Sequence, residues 1–560
     1  MKKSKQKILW LTVLCITQLS VFSQTVNEEY AEVPEDPFIH VPRADYKTSP
    51  AYFYSNAQIF TTQVNVNELG ENMLGDAANE PSFAIDPNNP ERMAMGWRQF
   101  DTIASNFRQA GFAYSLNGGT DWAFPGPLEP GVFRSDPVLD FDVNGTFYYN
   151  SLKTGYACDV FQTISDSTWG APTPAYGGDK QWMVVDRTGG ESDGNIYAFW
   201  KPFLSVCTGA FTRSADAGAT FDSCTVMPND GTRGTLSVGP EGELYACGET
   251  NGTFYLAKSS NAGMADEEVA WDFSTTVNMG GRLSLYQGPN PNGMLGQVWV
   301  TTDHSEGEYR GNVYMVAPVE GFQPGDNADI VFAKSEDGGE TWSTPIKIND
   351  DDLSGTYQWF GTISVAPNGR IDVVWVDTRD EPGSFLSALY YSYSLDGGTT
   401  WSVNEKLSDS FDPHLGWPQQ NKIGDYYHMI SDEDGAHLAW AATFNGEQDV
   451  YYSYITSSPV SSVADHHPAD GLIAVYQNSP NPFSDFTEIK YALKSSAAVQ
   501  IEVHDVLGNK IAMLKNGYQS AGDYSVYFYP DHYSLNNGLC FYQIKVEGHP
   551  PIVGRMVYGK

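Results

Sequence analysis

The sequence predicts an all-β chain: a β-propeller of seven blades, or six on the alternative count, followed by a small C-terminal β-sandwich. Three observations carry this. A strand–turn–strand pattern returns along residues 76–456, at a spacing of roughly 50 to 65 residues, which suits blades of about four strands. A hairpin pattern, S-x-D-x-G-x-T-W, interleaves with it. From residue 473 onward, apolar and polar residues alternate as they do in two packed sheets. The composition agrees, since 33 Tyr, 14 Trp and 54 Gly mix strand formers with turn formers.

The chain opens on Met1-Lys2-Lys3-Ser4-Lys5-Gln6-Lys7 and an apolar run from Ile8 to Phe22. A basic stretch before a short apolar one reads as a signal peptide over 1–23. The run is too short for a transmembrane helix, and no later stretch is apolar enough to span a bilayer. Residues 24–75 form a polar extension that offers a closing strand, for instance Ile59 to Val66. The formal net charge of -37 argues against nucleic acid, whose phosphates need Lys and Arg, and against bare anionic membranes. It fits a soluble protein outside the cell. Once Cys15 is removed, Cys158, Cys207, Cys224, Cys247 and Cys540 remain, an odd number. Cys207 and Cys224 flank a predicted hairpin and are placed to bridge it; the alternative is that all five are buried thiols. Zinc spacing such as C-x-x-C does not occur.

The repeats follow in order. Glu80-Pro81-Ser82-Phe83-Ala84-Ile85-Asp86 leads to Trp97, and Ser135-Asp136-Pro137-Val138-Leu139-Asp140 leads to Tyr149. Asp179-Lys180-Gln181-Trp182 begins the third unit and Gly234-Thr235-Leu236 the fourth. The fifth is blurred, starting near Arg282 and carrying Gly311-Asn312-Val313-Tyr314. The sixth runs from Gly361 to Trp375 and the seventh from Asp425 to Trp440.

Ser335-Glu336-Asp337-Gly338-Gly339-Glu340-Thr341-Trp342 and Ser394-Leu395-Asp396-Gly397-Gly398-Thr399-Thr400-Trp401 match the hairpin pattern fully. Ser115–Trp122 and Ser214–Phe221, with Asp216, are near copies, and Ser259–Gly263 is a decayed one. The aspartate accepts backbone N–H bonds in the tight loop, a glycine takes the positive φ, and the tryptophan packs beneath. Asp216, Asp337, Trp342, Asp396 and Trp401 are therefore read as structural. This pattern resembles the Asp box, or BNR repeat, of the sialidase-like propellers.

Residues 457–472 are rich in Ser, Pro and Ala and read as a linker; its His466-His467 pair reads as solvated, with metal binding the alternative. Residues 473–560 resemble the type A C-terminal sorting domain of the type IX secretion system of the Bacteroidetes. The residues that carry it are Tyr476-Gln477-Asn478-Ser479-Pro480-Asn481-Pro482-Phe483, Val499 to Gly508, Gly522-Asp523-Tyr524 and the basic end Gly554-Arg555-Met556-Val557. Leu539-Cys540 stands where that family usually has a small residue and Val. The resemblance implies export, the secretion machinery as a partner, and a product released or anchored at the outer cell surface.

In a propeller the first strand of each blade lines the central channel, so residues just before these strands should converge. Resemblance to sialidases implies an arginine triad on an acidic sugar, a tyrosine nucleophile with a glutamate partner, and an aspartate acid/base. On that basis Arg134, Arg233 and Arg282 would hold a substrate carboxylate, with Trp359 and Lys180 beside them. Tyr426 or Tyr427 would be the nucleophile, Glu80 its partner, and Asp179 or Asp136 the acid/base. The alternative is that these charges pair with one another around the channel mouth. The sialidase signature Arg-Ile-Pro is absent from the sequence. Three functions stay open: a glycoside hydrolase on complex, acidic carbohydrate; a non-catalytic propeller binding glycan or protein; and a uronate polysaccharide lyase. No resident cofactor is expected. The acidic loops Asn349–Asp352 and Asp432–Gly435 offer oxygen ligands of the kind Ca²⁺ takes, with solvated turns as the alternative.

Overall fold

The computed structural model describes residues 36–56, 58–321, 327–456, 473–475, 478, 480–481, 483–505, 509–533, 538–546 and 552–559. The signal-peptide region, the linker and His466-His467 lie outside them. Seven antiparallel sheets of three to five strands each form the blades. Their inner strands are Ala77–Ile85, Arg134–Phe141, Trp182–Val185, Leu236–Val238, Trp299–Thr302, Gln358–Val365 and His428–Ser431. Each touches the next in this order, and the seventh touches the first, so the ring is closed.

Closure is a sheet, not a loop. Ile59–Gln63 pairs antiparallel with Asp449–Thr456 of blade 7, joining the two ends of the propeller within one blade. Thr61 and Ser453 share a hydroxyl hydrogen bond of 2.8 Å across this seam. The seam carries buried carboxylates with few cations. Asp449 accepts from Asn65 and Asn445, and Asp76 accepts from Gln99. Burial, with the Glu447 charge nearby, pushes the Asp449 carboxyl up to about 7, and burial raises Asp76 as well. A carboxyl raised in the folded state favours folding below its ordinary value of about 4, and that contribution is lost as pH rises through the folded value. The melting temperature is therefore expected to fall between pH 5 and pH 8. Asp449→Asn should flatten that slope in circular-dichroism melts; an unchanged slope would assign it to other groups.

Inner strands begin with an irregularity that recurs around the ring. Glu80, Asp136, Lys180, Arg233 and Phe360 all have positive φ, between 47° and 60°. In blades 1, 2 and 6 the register shifts at these residues. A left-handed non-glycine residue costs about 1–2 kcal/mol, so the surrounding packing holds five such positions in place. Most inner strands also end alike. Asp86, Asp142, Asp186, Asp303 and Asp432 each follow the strand and accept a backbone N–H two residues on, fixing the turn into the second strand.

The hairpins read as structural from their pattern carry matching bonds. Asp337 accepts from Thr341 N–H and Asp396 from Thr400 N–H; Asp216 does the same with Thr220. Trp342 donates to Gly339 O at 3.2 Å, and Trp401 packs on Phe332. Cys207 and Cys224 are disulfide-bonded, and Cys158, Cys247 and Cys540 are free and buried.

Two further sheets make up the C-terminal unit. One holds Ile473–Val475, Thr487–Leu493 and Gly522–Phe528; the other holds Lys510–Gln519, Ala497–Asp505, Gly538–Val546 and Ile552–Tyr558. Ile489, Tyr491, Val499, Ile501, Phe528, Tyr542 and Ile544 share one core between them. No described helix is long and apolar enough to cross a membrane.

Candidate functional site

Strand register places one residue of each blade at the same level of the central channel. They are Ser82, Val138, Trp182, Thr235, Trp299, Thr362 and His428, each the same distance from its strand-end pair. Ring contacts show that three of them meet on the axis. Trp182 of blade 3 lies 4.9 Å from Trp299 of blade 5 and 5.7 Å from His428 of blade 7. Blades that are not neighbours can touch only across the channel. Trp299 and His428 stack at 17° between planes. The channel is thus filled at this level.

Above the plug lie the residues where the inner strands start, and several predicted site residues do gather there. A chain of buried charges runs across blades 1, 7 and 3. Arg98 and Lys422 face Glu80 Oε1 at 3.3 and 3.4 Å. Lys422 and Lys180 both donate to Asp425 Oδ2, at 2.8 and 2.5 Å. Lys180 and Lys201 flank Asp179 at 4.0 and 3.2 Å. Each of these side chains is under one-tenth exposed. Burial pushes the Glu80 carboxyl up against the pull of Arg98 and Lys422. Residues 284–298, inserted in blade 5, reach over this cluster: Met294 N–H donates to Asp425 Oδ1, and Asn290 binds the Gly424 carbonyl and Ile423 N–H.

Tyr426 is sealed beneath it. Its hydroxyl donates to Pro137 O at 2.7 Å, and its ring abuts Trp182 at 5.4 Å. Burial, then the Glu80 and Asp136 charges, hold its phenol well above the ordinary value. A nucleophile needs the opposite. Asp136 accepts from Ser135 Oγ at 2.6 Å.

The three arginines expected to converge are instead each paired inside their own blade. Arg134 meets Glu129 and Asp159 at 2.5 and 2.8 Å, Arg233 meets Glu249 at 3.2 Å, and Arg282 meets Glu320 at 2.8 Å. The physical reason for the Arg282 displacement is the insertion: Arg282 sits at the far end of the blade 5 sheet, opposite Glu320, while the inner strand begins again at Trp299. Trp359 lies three residues before Thr362, the channel-level residue of its blade; it is buried and donates to Ser387 Oγ. Of the acidic loops, Asp350 and Asp351 are taken up by Arg379 at 2.6 and 3.3 Å. Asp432 caps its own turn and meets His437 at 3.0 Å. No group of three metal-ligating side chains occurs among the described residues.

The plug residues Trp182, Trp299 and His428 were not among the predicted site residues. A signal for them was present: Trp182 and Asp186, Trp299 and Asp303, and His428 and Asp432 share one spacing.

No family model and no curated protein matches the chain. Solved structures similar to it include a protein of unknown function from Dyadobacter fermentans, 15% identical, covering 71% of this chain and 97% of that one at a TM-score of 0.42. The BP39L lectin from Burkholderia pseudomallei is 11% identical over 68% of this chain and 97% of that one, TM-score 0.46. Trypanosoma rangeli sialidase is 10% identical over 88% and 89%, TM-score 0.33. The fold itself stands on the seven sheets and their closure: the chain is an all-β propeller with a β-sandwich at its C-terminal end.

Proposed function

We propose that this chain is a secreted carbohydrate-binding propeller without hydrolytic activity of its own. One observation carries the non-catalytic part of the reading: Tyr426, the candidate nucleophile, is sealed between the aromatic plug and a compensated ionic cluster, with its hydroxyl bonded to backbone. A nucleophile must reach its substrate in a near-attack geometry. The arginines add to this, since each is already neutralised by a carboxylate of its own blade and the three do not converge on one ligand. Export through the type IX machinery and display or release at the cell surface belong to this proposal, supported by the N-terminal and C-terminal resemblances.

The test uses the mature chain from residue 24. Binding to a glycan array is expected, with no turnover of fluorogenic sialosides or uronate polymers. Turnover that Tyr426→Phe abolishes would overturn the proposal in favour of the hydrolase.

A further inference from the structure

Below the plug the channel changes character. Two residues further along the inner strands, the axis-facing Val184, Ser237, Thr301, Ser364 and Ile430 of blades 3 to 7 are half-buried, their counterparts Ala84 and Asp140 of blades 1 and 2 are buried, and Met183, Leu236, Val300, Ile363 and Met429 between them are buried. Five of the seven blades therefore leave the channel partly open to solvent on the hairpin face. From His428 to the turn after Ser431 the strand spans three residues, a depth of about 10 Å.

The floor presents an unused donor. His428 Nδ1 lies 3.3 Å from Phe83 N–H and 3.0 Å from Ser82 Oγ. Ser82 Oγ already accepts from Leu139 N–H at 2.9 Å, which leaves its own proton for the imidazole. With Nδ1 accepting, a neutral ring carries its proton on Nε2. Burial, with the Arg187 charge nearby, pulls the ring down to about 3, so it stays neutral at physiological pH. Among the described residues no partner takes the Nε2 proton, and His428, although its ring is packed by Phe83, Trp182 and Trp299, keeps some exposure to solvent. Nδ1 is tied to blade 1, which leaves Nε2 as the ring's uncommitted donor at the channel floor.

We propose that this lower vestibule binds a neutral hexopyranose, free or as the terminal unit of a glycan, with His428 Nε2–H donating to one of its oxygens. Ser364 Oγ accepts from Ser431 N–H at 2.9 Å and keeps its proton for a sugar hydroxyl, and Thr301 adds a second hydroxyl. Val184 and Ile430 give the apolar contact that a pyranose ring face needs. An acidic sugar is disfavoured twice. Arg187 at the rim is bonded to Asp140 Oδ1 at 2.5 Å and to Phe141 O, and the chain's charge of -37 repels anions. The vestibule lies at the opposite end of the channel from Glu80 and Tyr426. The inference rests on the carbohydrate-binding reading above.

The experiment measures binding of the mature chain to methyl hexopyranosides and to neutral oligosaccharides by calorimetry. Thr301→Trp, which fills the vestibule, should weaken binding at least tenfold at unchanged melting temperature. Ser364→Leu serves if that variant does not fold. The His428 Nε2–H resonance should shift on titration. Binding of oligosaccharide and methyl glycoside alike assigns a free sugar; binding of oligosaccharide alone assigns a glycan terminus; both support the site. Wild-type binding that neither variant weakens, or binding confined to acidic glycans, overturns the vestibule and leaves the binding propeller standing. No carbohydrate binding at all overturns the propeller's proposed function itself.

Discussion

Trp182→Ala is expected to lower the free energy of unfolding by about 3–5 kcal/mol, the usual cost of truncating a buried large aromatic. Trp182 is 3% exposed and touches Trp299, Tyr426 and His428, which come from two other blades. Its loss removes contacts on the axis, where every blade converges and no single blade can relax to fill the space. Denaturant unfolding measures it. A loss below about 1 kcal/mol would mean that the neighbours collapse into the cavity, and that the plug is softer than the packing indicates.

Deleting residues 473–560 is expected to leave the propeller folded and to stop the chain short of the cell surface. The first part follows from packing: among the described residues, the core of the C-terminal unit is built from its own strands and holds no propeller residue. The melting transition of the propeller should stay within about 0.5 kcal/mol, the range of changes remote from a core. The second part follows from the proposed sorting role, and fractionation with immunodetection reads it. Truncated protein appearing in the medium would remove the sorting role; a destabilised propeller would show that the two units depend on each other.

Much of the fold was legible because both repeats have local causes. Strand, Asp turn and aromatic strand recur wherever a blade must bury one face, and the hairpin aspartates act within four residues of themselves. Register was legible too: Glu80, Asp136, Lys180, Arg233 and Tyr426, picked from sequence, do stand where the inner strands begin. Blade 5 escaped because an insertion separates Gly281–Leu283 from Trp299–Thr302, so the turn-bearing Val313 strand pointed to the wrong partner. The chemistry of the site was not legible for a different reason. Whether an arginine is free or spent depends on residues such as Glu129, Asp159, Glu249 and Glu320, which sequence proximity does not single out as partners. Burial of Tyr426 likewise depends on Trp182, about 240 positions away in the chain but adjacent across the axis, an arrangement only closure creates.

The closing blade has a further consequence, for the order of events in folding. Ile59–Gln63 is among the first strands to be synthesised, and Asp449–Thr456, its partner, is the last of the propeller. Until the final strand arrives, the first has an open hydrogen-bonding edge, and it must wait through six other blades. Bringing together Thr61 and Ser453, 392 positions apart, carries a loop-closure cost that grows only logarithmically, but non-local pairing of this kind slows folding. The ring therefore stays an open arc for most of the chain's synthesis and locks in one late step. Under the proposed export the chain gains from that delay, because a propeller lacking its last strand cannot close early.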